Sequence, residues 1–110
     1  METKFELIMC IVNAGFSQNV MAAARKAGAR GGSILRGRGS ANPESEEFFN
    51  ITIQPDKEVI LILTASDGKD KILKAIYKES GLTTDANGIA FSIPVERTTF
   101  QMPKELEENE

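Results

Sequence analysis

The chain has 110 residues, 41% of them hydrophobic and 26% charged, with a formal net charge of −3. That length holds one domain around one core, and the charge balance gives no electrostatic case for non-specific nucleic-acid binding. Histidine is absent and cysteine occurs once, which removes the commonest metal ligand, the Ser-His and Cys-His nucleophile pairs and any intrachain disulfide.

Phe5 to Val12 form a nearly unbroken apolar run with β-branched members, the pattern of a buried central strand. Asn13-Ala14-Gly15 breaks it, and Ser17 is placed to cap a helix running to about Ala27. Val20, Met21, Ala24 and Ala27 give that helix one apolar face, Arg25 and Lys26 suit its last turn, and Gly28 is the natural residue just past its end. Ser33 to Arg36 reads as a second strand, followed by Gly37-Arg38-Gly39. Residues 40–47 are polar, acidic and broken by Pro43, as in a long exposed loop. Phe48 to Gln54 regains β character, Pro55-Asp56 turns, and Glu58 to Thr64 is the strongest strand in the chain.

Asp67 is placed to cap a second helix over about 68–80, with Ile72, Leu73, Ile76 and Tyr77 on its apolar side and Gly81 ending it. Tyr77 is expected against the sheet. Ile89, Phe91, Ile93 and Val95 alternate with Ala90, Ser92, Pro94 and Glu96, as in a half-buried strand, and Pro94 predicts an edge position or a bulge. Residues 1–100 thus form the domain, and 101–110 are an acidic tail expected to fray.

The order is β-α-β, a long hairpin excursion, then β-α-β. This predicts an α+β fold of the ferredoxin-like split βαβ type (βαββαβ), with a long loop between the second and third strands of the sheet. The two most apolar strands would be central and both helices would lie on one face. The other face needs cover, so self-association is expected. No apolar run approaches the roughly 20 residues that cross a bilayer. Met1-Glu2-Thr3-Lys4 does not open a signal peptide, so a cytoplasmic protein is expected and the Asn50-Ile51-Thr52 sequon carries no meaning.

The most unusual stretch is residues 28–39, with five glycines and three arginines in twelve positions. Glycines let backbone N–H groups approach an anion, and arginines offer forked donors to phosphate or carboxylate. The segment is not a P-loop, because the Gly-Lys-Ser/Thr ending and the following helix are missing. Thr83-Thr84-Asp85-Ala86-Asn87-Gly88 is a second candidate, able to offer hydroxyls and N–H groups or to serve simply as a turn. Glu44, Glu46 and Glu47 match no metal-binding spacing, Cys10 reads as a small core hydrophobe, and Met9 and Met21 as packing residues.

Over nearly all of residues 4–100 the chain resembles the PII (GlnB-type) signal-transduction family. The resemblance rests on Gly28-Ala29-Arg30-Gly31-Gly32-Ser33 at the start of a strand and on Arg38-Gly39 leading into a long "T-loop". It rests also on Leu82 to Gly88 in the place of a "B-loop", before Phe91-Ser-Ile-Pro-Val95-Glu-Arg97. It implies a homotrimer that binds an adenine nucleotide (ATP, ADP or AMP) in clefts between subunits. The T-loop, residues 40–54, would signal to a transporter, enzyme or transcription regulator; nitrogen regulation is the family's setting. Carried over by position, Ser33, Arg36, Arg38, Gly39, Thr83 and Gly88 are the nucleotide-binding residues, with the backbone of Glu58 to Leu63 beside them. Asn42, Glu44, Glu46, Phe48 and Phe49 are the partner-facing loop positions.

The departures are specific. Ile89 stands where the B-loop supplies a phosphate-binding lysine, and Thr98-Thr99-Phe100-Gln101 replaces a pair of arginines. Each lost cation removes charge-assisted hydrogen bonds of about 1.5–3 kcal/mol, so weak triphosphate binding is expected unless Arg36 or Arg38 compensates. Ser40-Ala41 lacks the glutamine associated with magnesium and 2-oxoglutarate, so neither is carried over. Phe48-Phe49 has no hydroxyl for the tyrosine modification used by some members. An acylphosphatase-like enzyme would want an arginine on the loop after the first strand, but Asn13 to Phe16 has none before Arg25. A structural trimer resembling the cation-tolerance proteins would want His or Cys for metal chemistry. An RNA-binding sheet would want paired strand aromatics. The sequence therefore points to a regulator, not an enzyme, with no metal site.

Overall fold

The computed structural model describes residues 4–38 and 56–101. Strand β1 (Phe5–Asn13) leads through a turn into α1 (Ser17–Lys26), then β2 (Ser33–Arg38). Strand β3 (Asp56–Ala65) passes through a short 3-10 turn (Ser66–Gly68) into α2 (Lys69–Ser80) and finally β4 (Ile89–Val95). The sheet order is β2-β3-β1-β4, antiparallel at every junction. This is the expected ferredoxin-like arrangement, with the two most apolar strands at the centre. β4 lies at an edge, where Pro94 is tolerated because an edge strand has one side free of ladder bonds. The strand expected over 48–54 lies outside the described residues, and Asp56, expected in a turn, is the first residue of β3.

Alternation along the central strands decides the core. Ile8, Cys10 and Val12 of β1 and Ile60 and Ile62 of β3 face the helices and are fully buried. They meet Val20, Met21 and Ala24 of α1 and Ile72 and Ile76 of α2. Burial pushes the Cys10 thiol up to about 11, so it packs as a hydrophobe rather than reacting. Tyr77 departs from expectation and is 70% exposed. It follows Ile76 by about 100° of helix rotation, which carries it past the rim of the buried stripe.

Directly opposed residues in an antiparallel ladder share a face, so the register fixes the other side of the sheet as well. Ile11 sits between Val59 and Ile89, Met9 between Leu61 and Phe91, and Leu7 between Leu63 and Ile93. These nine positions are all apolar, and no described helix covers them. The apolar alternation of β4 therefore points away from the helices: Ile89, Phe91 and Ile93 are 52%, 40% and 43% exposed.

The helix ends show what sequence proximity misses. Ser17 does not cap α1 but is its first residue, and no side-chain cap is present at Phe16. The Glu58 carboxylate, arriving from β3, instead accepts the N–H groups of Gly15 at 2.7 Å and Ser17 at 3.3 Å. Asp67 likewise does not cap α2, since it lies within the 3-10 turn and Gly68 precedes the helix without a side-chain cap. The other end of α1 follows expectation. Gly28 has φ +112°, the Gly28 N–H bonds to Arg25 C=O at 3.0 Å, and the Ala29 N–H to Ala24 C=O at 2.9 Å. That is a Schellman stop, and its apolar Ala29 is buried in the core.

Candidate functional site

The Schellman stop anchors the glycine segment. From buried Ala29 the chain runs through Arg30-Gly31-Gly32 along β3 to Ser33. Gly32 is needed for that approach: a Cβ there would lie 2.7 Å from the Leu61 carbonyl oxygen and 3.0 Å from the Ile62 side chain. The β2–β3 ladder stops at Ser33 opposite Leu61, so among the described strands β3 from Ile62 to Ala65 is flanked by β1 alone. The result is a groove of about 900 Å³. Its floor is apolar, from Phe5, Leu7, Leu61, Leu63 and Ile72, and its walls are Gly28 to Ser33 on one side and the 3-10 turn on the other. Phe100 closes its foot, stacked on Phe5 with ring centroids 6.3 Å apart.

The 3-10 wall is held in place by a buried carboxylate. Glu6, 7% exposed on β1, accepts the Ser66 hydroxyl at 3.3 Å and lies 3.7 Å from the Lys69 ammonium. The Ser66 N–H also donates to Lys4 C=O at 2.8 Å.

A second cluster forms at the opposite end of the sheet. Asn13 donates its backbone N–H to Ala86 C=O and its side-chain amide to Asp85 C=O, and accepts the Lys57 ammonium at 2.7 Å. One residue thus ties the base of β3 to the 83–88 turn. The two Gly15 and Ser17 hydrogen bonds hold the Glu58 carboxyl below its usual range, the Gly15 N–H being the largest cause, and Arg36 adds to them from across the ladder. Arg38 faces Asp56 at 3.8 Å, with both side chains over 70% exposed.

The residues assigned to nucleotide binding are therefore divided. Ser33 lies in the groove. Arg36 and Arg38 lie towards the other end of β2, about 10 and about 17 Å further along the strand. Thr83 and Gly88 share that end but sit beside β4, across three strand spacings of about 4.8 Å from β2. Thr83 is exposed, whereas Gly88 is buried and its N–H is bonded to Ser80 C=O at 2.8 Å. A side chain at Gly88 would collide with the Ser80 carbonyl and with Val12. Gly39 and the loop positions Asn42, Glu44, Glu46, Phe48 and Phe49 lie outside the described residues. Sequence reading missed Asn13, Glu58, Glu6 and Asp67 as parts of these two clusters. The partners of Asn13, Glu58 and Glu6 are dozens of residues away in the chain, so no local pattern announces them.

Among the described residues no group of three or more His, Cys, Asp or Glu side chains could hold a metal ion, and no helix is long and apolar enough to cross a membrane.

No protein-family profile matches the chain, and no curated protein matches it in sequence. Solved structures do. PII of Arabidopsis thaliana, bound to citrate, superposes with a TM-score of 0.61 at 22% identity, covering 86% of this chain and 77% of that one. GlnK of B. subtilis in complex with ATP gives 0.62 at 10% identity, covering 86% and 84%. A Bacillus cereus protein related to NIF3 gives 0.67 at 14% identity; 86% of this chain matches 26% of that longer one. The chain has the ferredoxin-like fold that the PII structures share, at 22% and 10% identity to the two PII proteins compared.

Proposed function

We propose that the protein is a divergent PII-like regulator. In this reading it assembles as a trimer through its open sheet face, binds an adenine nucleotide between subunits, and signals to a partner protein through residues 40–54. The observation that carries the reading is that groove and open face are built from the same side chains. Phe5, Leu7, Leu61 and Leu63 line the groove and also lie in the apolar face. A copy packed on that face closes the groove, so the ligand site is completed by assembly. The base would lie over the apolar floor beside the glycine wall. The phosphates would meet the Arg36 and Arg38 end of a neighbouring copy.

Exposed pairs such as Arg38–Asp56 contribute at most about 1 kcal/mol, so an incoming phosphate can replace Asp56 at little cost. Binding would then act on the base of the loop through β2, shifting its population toward the conformer the partner reads. Catalysis forms no part of the proposal. The N–H groups of Gly15 and Ser17, where an acylphosphatase-like cradle would hold phosphate, are occupied by the protein's own Glu58 carboxylate.

Light scattering combined with calorimetric titration of ATP, ADP, AMP and magnesium with 2-oxoglutarate tests this. A trimer that binds AMP or ADP and ignores 2-oxoglutarate is expected, with Arg38→Ala weakening nucleotide binding about tenfold. A monomer that binds no nucleotide overturns the proposal, and unchanged affinity in the variant removes Arg38 from the phosphate site.

A further inference from the structure

Two charged side chains line the groove, Arg30 from the glycine wall and Asp67 from the 3-10 turn, and neither has a hydrogen-bond or ion-pair partner among the described residues. They line one groove without pairing with each other. Of the other polar side chains there, the Thr64 hydroxyl is turned onto the Ala65 carbonyl at 3.3 Å, which leaves Ser33. The slot is therefore apolar in its floor and polarised between its walls, with forked donors on one side and a carboxylate on the other.

A carboxylate only accepts hydrogen bonds, so an occupant reaching that wall must bring donors. A phosphate there would meet like charge, which costs binding. A flat heterocycle with an exocyclic amino group beside a ring nitrogen meets the requirement: its face lies on the leucines, its amino group donates to Asp67, and its ring nitrogens accept from Arg30. The wall is fixed independently of any ligand. Glu6 and Lys4 hold Ser66, the neighbour of Asp67, from the strand side. Pre-positioned acceptors discriminate best, because little ordering is left to be done on binding.

We infer that Asp67 is the specificity-determining residue of the groove, its carboxylate accepting the amino group of the bound base and selecting adenine over its 6-oxo counterpart, hypoxanthine. This rests on the reading above that a nucleotide base occupies the groove. In hypoxanthine the donor is replaced by a carbonyl oxygen, which turns an attraction at Asp67 into a repulsion.

The test is calorimetric titration of AMP and IMP into the full chain and into Asp67→Ala, with thermal melts of both proteins. The wild type is expected to bind AMP about tenfold more tightly than IMP, the lower end of what a hydrogen bond to a charged group supplies at an exposed side chain. Asp67→Ala should bring the two within about twofold, mainly by weakening AMP. Its melt should be unchanged, because the side chain is exposed and unpartnered. Equal affinities in the wild type, or a preference that survives Asp67→Ala, overturn the inference and leave the nucleotide reading standing. If neither nucleotide binds the wild type, both fall.

Discussion

On the side of the sheet that meets α1 and α2, Ile8, Cys10, Val12, Ile60 and Ile62 keep no exposed surface. On the other side, Met9, Leu61, Ile89, Phe91 and Ile93 are equally apolar, and the β4 members remain 40–52% exposed. Antiparallel sheets ordinarily present polar residues to water on the face their helices leave bare. Here the strands alternate between two apolar sets. The helices account for one set, and the other remains a contiguous patch of the kind that marks an interaction surface. The described chain is therefore a complete core backed by a second apolar face that no described helix covers.

Three variants press on that comparison. The largest effect is expected on the open face. Phe91→Asp combined with Ile93→Asp should convert the proposed trimer to monomers in light scattering while circular dichroism stays that of the wild type. An unchanged mass would show that the open face is not what joins the copies. On the covered face, Ile62→Ala should leave the mass unchanged and lower stability by about 2–5 kcal/mol in urea denaturation, the cost of a cavity in a close-packed core. A loss below about 1 kcal/mol would mean that this face is not packed as described.

The smallest effect is at Glu58, where Gln keeps the shape and removes the charge. Its carboxyl lies below the ordinary range in the fold, so its contribution is complete above the unfolded value of about 4.3 and fades as pH falls through the folded one. The stability gap between wild type and Glu58→Gln should therefore be widest at neutral pH and close in acid. A gap independent of pH would mean that the charge is not what holds the turn.

Strand order, helix positions and the edge placement of β4 were legible because each rests on local periodicity or on a single residue such as Gly28 or Pro94. Three features were not. The cap of α1 comes from Glu58, more than forty residues from Ser17, and no local pattern announces it. Tyr77 falls just outside the buried stripe, a distinction that periodicity alone does not resolve. β4 alternates plainly, but alternation states that its faces differ without stating which one the helices take. The candidate site was legible to a similar depth. Residues 28–39 stood out by composition, and only their first half, Gly28 to Ser33, forms a wall of the groove. The opposite wall is carried by Glu6, Ser66 and Asp67, which only the strand crossing brings together. Arg36 and Arg38, in the second half of that stretch, were carried by an extended strand towards the far end of the sheet.

Phe100, stacked on Phe5 at the foot of the groove, has a consequence for spectroscopy. The chain has no tryptophan and one tyrosine, Tyr77, on the outward side of α2. Its near-ultraviolet signal is therefore faint, and its tyrosine does not line the groove. An indole introduced by Phe100→Trp would be the dominant fluorophore of the whole protein, seated at the foot of the groove. Its emission would report occupancy there against an almost dark background.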